Sequence, residues 1–200
     1  MKGSLIIFTV FITGVLCGIS GLTPFNPADS RIGFYVLCAL MFTVGLSIGH
    51  DPETLHKFRR LNPRLAFLPL LTIAGTIAGA VAAAPLLPGR SLTDCLAVGA
   101  GFGYYSLSSI FITEYKGAEL GTVALLSNII REITTLLCAP LLVKWFGNLA
   151  PISAGGATTM DTTLPVITRY AGKEFVVVSV FHGFVVDFSV PFLVTFFCSI

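Results

Sequence analysis

Apolar residues fall along this chain in five runs, 4–22, 32–49, 65–87, 120–146 and 175–200. Each is close to the roughly 20 residues that carry a helix across about 30 Å of hydrocarbon. Two further stretches, 94–113 and 151–168, are apolar enough to enter a membrane but poor as helices. The first packs Gly99, Gly101 and Gly103 into five residues and follows them with Ser106, Ser108 and Ser109. The second sets Pro151, Gly155, Gly156, Thr158, Thr159, Asp161, Thr162, Thr163 and Pro165 among apolar neighbours. A glycine weakens a helix by about 1 kcal/mol and a proline by about 3 kcal/mol. Unpaired backbone is not tolerated in lipid, so such breaks survive only where protein or a water-filled cavity covers them. The pattern predicts an all-α polytopic integral membrane protein with about five full transmembrane helices and two broken or re-entrant segments.

Charge placement orients the spans. The linker 50–64 holds Lys57, Arg59, Arg60 and Arg64, and short basic loops stay cytoplasmic. This puts the N-terminus inside and, after five spans, the C-terminus outside. Lys2, Lys144, Arg169 and Lys173 join those four on the inner side, against Arg31, Arg90 and Lys116 outside. A full crossing by 94–113 would move Lys144 outside, and a second by 151–168 would bring Arg169 and Lys173 back. Treating both as re-entrant satisfies the charge rule without compensation, the first entering from outside and the second from inside. Inverted-repeat transporters build a midplane site from broken helices in that way. Two ordinary loops, or two full spans, are the alternatives.

Composition excludes a soluble protein. Hydrophobic residues make up 54% of the chain and charged residues 11%, against about 25% charged in a soluble domain. The net charge of +2 is too small to imply nucleic acid. Cys17, Cys38, Cys95, Cys138 and Cys198 are scattered singly, with neither metal-ligand spacing nor a disulfide framework. No metal or other cofactor is expected. Met1 and Lys2 before an apolar run fit the start of a signal peptide, but no small-x-small cleavage site follows, so a retained helix is expected.

The chemistry lies in the charges that fall inside membrane segments. An ionisable group in hydrocarbon costs at least about 2.5 kcal/mol, and its presence points to a water-filled path or a bound ion. In the run 120–146 a polar stripe of Ser127, Asn128, Arg131, Glu132 and Thr135 recurs at helical spacing opposite Leu126, Ile129, Ile130, Ile133 and Leu137. That stripe must face protein or water. Adjacent helical residues point about 100° apart, so Arg131 and Glu132 pair better with other segments than with each other. Asp161 sits at the second break, where it can cap a helix, exchange its proton or meet a cation. His182 and Asp187 are five residues apart and face different neighbours, with His182 read as a hydrogen-bonded packing residue or a proton relay. Asp187 is a further titratable group or a charge partner for Arg131. Three carboxylates and one guanidinium suit a cation or protons. A substrate with amines and a carboxylate would give its amines to Glu132 and Asp161 and its carboxylate to Arg131 or a half-helix N-terminus. The substrate pathway would take backbone and hydroxyls from Gly101, Gly103, Tyr105, Ser106, Ser108, Thr158, Thr159 and Thr162. Gly101 and Gly103 lack the third glycine and preceding strand of a nucleotide cradle.

These residues together resemble a known family. Gly101 to Ser108, Thr113 with Glu114, Asn128 with Arg131 and Glu132, Gly156 to Pro165, and His182 to Phe184 are similar to the motifs of the LysO-type L-lysine exporters of bacteria. The resemblance implies a multi-pass exporter of lysine and its analogues in the bacterial inner membrane, with Glu132 and Asp161 as the intramembrane acidic pair on which transport depends. It also implies about three further spans before the matched region, supplied by a small partner chain, or a homo-oligomer. The expected function is export of L-lysine, by proton antiport at the intramembrane carboxylates. Alternatives are a carrier of another cation or amino acid, sodium-coupled or not, and a non-transporting membrane subunit of a split transporter. Enzymatic activity is not expected, since no zinc motif appears and Ser106 and Ser108 have no base nearby in sequence.

Overall fold

A computed structural model describes residues 63–200 apart from residue 88, together with isolated positions between 13 and 46. The chain divides into two units, Met1–Val44 and Gly45–Ile200. In the first, the Ser20 hydroxyl donates to the Leu16 carbonyl at 2.7 Å, as in a helical turn. Most of the expected spans 4–22 and 32–49 and of the basic linker lies outside the described residues.

The second unit is helical throughout its described part, with no strand there. Its α-helices are α1 (Pro63–Ala66), α2 (Leu68–Ala83), α3 (Leu92–Gly99), α4 (Tyr105–Lys116), α5 (Ala118–Phe146), α6 (Ala150–Gly155), α7 (Leu164–Tyr170) and α8 (Val176–Ser199). Among the described residues, three continuous helical stretches are long and apolar enough to cross a membrane: Pro63–Leu86, Ala118–Phe146 and Lys173–Ser199. At 1.5 Å per residue α5 is about 44 Å long, enough to cross the hydrocarbon with tilt.

The faces of these helices follow their sequences. Leu126, Ile130, Ile133 and Leu137 of α5 are exposed, while Asn128 and Thr135 are buried and Arg131 and Glu132 half-buried. On α8, Phe188, Phe192 and Phe196 make an exposed aromatic row at four-residue spacing, whereas His182, Gly183, Val186, Asp187 and Val190 are buried. Exposed apolar surface around the three long helices is what a lipid environment demands.

The two interrupted stretches are helix, break, helix. The first runs through α3, turns at residues 100–104 and continues as α4. Ser91 caps α3 reciprocally with Asp94: its hydroxyl accepts from the Asp94 amide at 3.0 Å, and its own amide donates to the Asp94 carboxylate at 3.3 Å. Asp94 also pairs with Lys116 in the last turn of α4 at 3.6 Å. The segment therefore starts and finishes at one end of the bundle. The second stretch runs through α6, a 3-10 turn at Gly156–Met160, and α7. Ile152 of α6 and Ile167 and Ala171 at α7 share one buried cluster with Leu68 and Val178 at the starts of α2 and α8. This segment also leaves and returns at one end.

Candidate functional site

The tips of the two broken segments touch. The Ala157 amide donates to the Phe102 carbonyl at 2.9 Å. Glycine permits the approach. Gly156 has φ 66°, and a Cβ there would overlap the Phe102 carbonyl oxygen. Gly103, at φ 95°, would set a Cβ 2.9 Å from the Gly155 carbonyl oxygen.

Helix α5 fastens both tips from one turn of its polar face. Asn128 accepts the Gly103 amide on Oδ1 at 2.7 Å and donates from Nδ2 to the Ala124 carbonyl at 2.9 Å and to Ser108 Oγ at 3.3 Å. Arg131 donates from Nε to the Ala154 carbonyl at 2.7 Å and from Nη2 to the Ser153 carbonyl at 3.0 Å. Those carbonyls lie in the last turn of α6, where helix groups lack intrahelical partners and a cation is favoured. Arg131 also reaches Thr76 Oγ1 from Nη1 at 3.4 Å. Among the described residues it makes no ion pair with Asp187 or Glu132. The guanidinium holds backbone.

On α8, His182 is fully buried, with Nδ1 3.3 Å from Thr159 Oγ1 and Nε2 2.9 Å from Thr72 Oγ1. Both ring nitrogens are used, which agrees with its reading as a hydrogen-bonded packing residue. Gly183 lets α8 lie against the second break, since a Cβ there would be 2.7 Å from the Met160 amide.

A cavity of about 130 Å³ opens beside the crossing, lined by Gly103, Tyr104, Tyr105, Ser106, Ala157, Thr158, Met160, Asp161, Thr162 and Asp187. Two carboxylates from elements 26 residues apart meet there, and no basic side chain lines it. Asp161 Oδ1 accepts the Thr162 amide at 2.5 Å, and the first turn of α4 brings the positive end of a helix dipole to the same wall. At about 30 Å³ per water, the space holds a few waters or one hydrated ammonium group. It is below the roughly 300 Å³ at which whole small molecules are usually bound.

The sequence-predicted residues thus separate into groups. Asp161, Asp187, Gly103, Tyr105, Ser106, Thr158 and Thr162 line the cavity. Asn128, Arg131, Ser108, Thr159, His182 and Gly101 brace its walls, and Gly101 is small because Ser108 Oγ would stand 2.8 Å from any Cβ. Glu132 is half-buried, lies outside the cavity lining, and makes no hydrogen bond or ion pair with a described residue. Sequence reasoning missed Tyr104 and Met160, whose neighbours in the breaks were the available signal. A larger cavity of about 570 Å³ lies between α2, α3 and α5.

Residues 8–198 match the family described as lysine exporter LysO. The chain belongs to that family. It is 32% identical over 190 residues to "Lysine exporter LysO" of Escherichia coli K12, an alignment covering 95% of this chain and 62% of the relative. It is 33% identical over 165 residues to a "Putative lysine exporter" of Haemophilus influenzae, covering 82% of this chain and 83% of that one. The chain therefore spans less than two thirds of the length of the Escherichia coli relative. No solved structure matches it. Membership of the lysine exporter family, with the three long apolar helices, makes this an all-α membrane protein.

Proposed function

We propose that this chain exports L-lysine across the bacterial inner membrane in exchange for protons, as the transport core of an assembly completed by a partner chain or a second copy. The observation that carries the reading is the small carboxylate-lined cavity beside two touching helix breaks. The breaks supply buried backbone and hydroxyls. Asp161 and Asp187 line one cavity with no basic side chain in its walls, and a buried negative charge calls for a cation beside it. Glu132, outside that cavity, serves as a second station of the acidic pair and takes the substrate's other amine or a proton on another part of the route.

Both broken segments are proposed to dip into the membrane and return, one from each side. The pairing of Asp94 with Lys116 and the shared cluster of Ile152, Ile167 and Ala171 support this. With the cytoplasmic N-terminus argued from the basic linker, the α3–α4 hairpin enters from outside and the α6–α7 hairpin from inside.

Everted vesicles carrying the full chain, alone and with the genomic neighbour, test the reading. Lysine accumulation driven by an imposed pH gradient is expected. Accumulation unchanged when that gradient is collapsed would remove proton antiport, and a chain inert in both settings would leave a non-transporting subunit.

A further inference from the structure

The 570 Å³ cavity falls within the roughly 300–1,000 Å³ of small-molecule sites, and its construction is unlike a gap left for lipid. Its walls are apolar side chains such as Ala80, Val98 and Val123. Two of its lining residues are charged. Asp94 and Arg90 are lining residues, Asp94 is paired with Lys116 at 3.6 Å, and Arg90 is paired with Glu119. Thr76 and Ser127 line it too, and Thr76 Oγ1 receives the Arg131 guanidinium. The cavity thus has a carboxylate in its lining, hydroxyls of which one is backed by a guanidinium, and methylene-compatible surface.

We propose that this cavity is a second substrate site, a vestibule in which Asp94 takes the side-chain ammonium of a basic amino acid now represented by the chain's own Lys116. The proposal rests on the reading of the chain as a lysine transporter. A free lysine carries the same four-methylene stem and ammonium as Lys116, so it replaces one ammonium–carboxylate contact by another of the same kind. Its stem fits the apolar wall, as long cationic side chains cover apolar surface elsewhere. Its α-carboxylate accepts from the hydroxyls of Thr76 and Ser127, which line the cavity. An acidic amino acid meets Asp94 and is refused. The first interrupted stretch borders both cavities, through Asp94 to Gly99 here and through Gly103 to Ser106 at the smaller one.

Cys95 follows Asp94, lines this cavity and is a free thiol, so occupancy can be read directly. In the full chain with Cys17, Cys38, Cys138 and Cys198 replaced by alanine, reconstituted in proteoliposomes, Cys95 is reacted with a cationic methanethiosulfonate reagent. Millimolar L-lysine is expected to slow labelling at least about fivefold, and L-glutamate to leave it unchanged. Lys116→Gln should label faster without lysine, because the ammonium no longer sits on Asp94. Asp94→Asn should label and lose the protection. A thiol that reacts at the same rate with and without lysine overturns the proposal, as does one that never reacts, which would mean a cavity filled by acyl chains. If lysine is exported yet gives no protection, the vestibule falls and the export reading stands. If ornithine or arginine protects and lysine does not, the vestibule stands and lysine as substrate falls.

Discussion

Replacing Gly156 by alanine should pull the two breaks apart. The residue sits at φ 66°, ψ −126°, a region open to glycine and strained by about 1–3 kcal/mol for other residues. The new Cβ would overlap the Phe102 carbonyl oxygen and stand 3.0 Å from its carbon and 3.4 Å from Arg131 Cζ. That carbonyl is the acceptor for the Ala157 amide, so relieving the overlap lengthens or breaks the bond between the tips. An unmade buried hydrogen bond costs about 1–3 kcal/mol. The two effects together give about 2–6 kcal/mol. Gly75→Ala is the control: Gly75 lies inside α2 with nothing within 4 Å of a Cβ, and alanine there gains up to about 1 kcal/mol of helix propensity. Thermal melting of the detergent-solubilised full chain, with initial lysine efflux from vesicles, reads both. At roughly 2–4 °C per kcal/mol for a chain of this size, Gly156→Ala should lower Tm by at least about 5 °C and abolish efflux. If Gly156→Ala melts and transports like Gly75→Ala, the breaks do not depend on their contact.

Further outcomes test individual residues. Asp161→Asn and Asp187→Asn should each cut export at least about tenfold, a loss of 1.4 kcal/mol, with normal membrane insertion by fractionation; wild-type export from either removes that residue from the cation site. Glu132→Gln should insert and melt as wild type, since the carboxylate bonds to no described residue, yet lose export; full export would make Glu132 structural. Arg131→Lys can keep one of the two α6 carbonyls but not both, so it should destabilise by about 1–3 kcal/mol, measured by the same melt. An unchanged Tm would mean that the guanidinium does not hold the second break.

What the sequence made legible depended on the range of the interaction. The polar stripe of α5 and its lipid-facing opposite were readable because both recur at helical period within one element. The breaks were readable because glycine and proline act locally. Their close approach followed from the same glycines, but Gly103 offers its amide to Asn128 rather than to a ligand. Which carboxylate shares a cavity with Asp161 was not readable. Asp187 and Glu132 are both central in apolar runs, and only packing decides that Asp187 lines the cavity while Glu132 lies outside its lining. The role of Asp94 was missed in a different way. Ser91 and Asp94 have the spacing of a capping box, and that signal marks the start of α3, but nothing local says that Lys116 returns to it after two helices.

The fastenings around the two cavities are of very unequal strength. The tips are held to each other by backbone, and to one turn of α5 by Asn128 and Arg131, through buried hydrogen bonds that cost about 1–3 kcal/mol each to leave unmade. Beside the large cavity stand two ion pairs, Lys116 with Asp94, at 27% and 19% side-chain exposure, and Arg90 with Glu119, whose Glu119 side chain is 81% exposed. Exposed ion pairs contribute about 0–1 kcal/mol. The Arg90–Glu119 pair is therefore the weakest of these fastenings. On the proposed route, a substrate admitted at the large cavity would meet a crossing whose release depends on the charge balance at Asp161 and Asp187. The proposed exchange requires a firm partition whose release depends on the occupancy of the acidic cavity. It also fixes where coupling mutations should appear, at Asn128 and Arg131, whose loss would let substrate pass without its counter-ion.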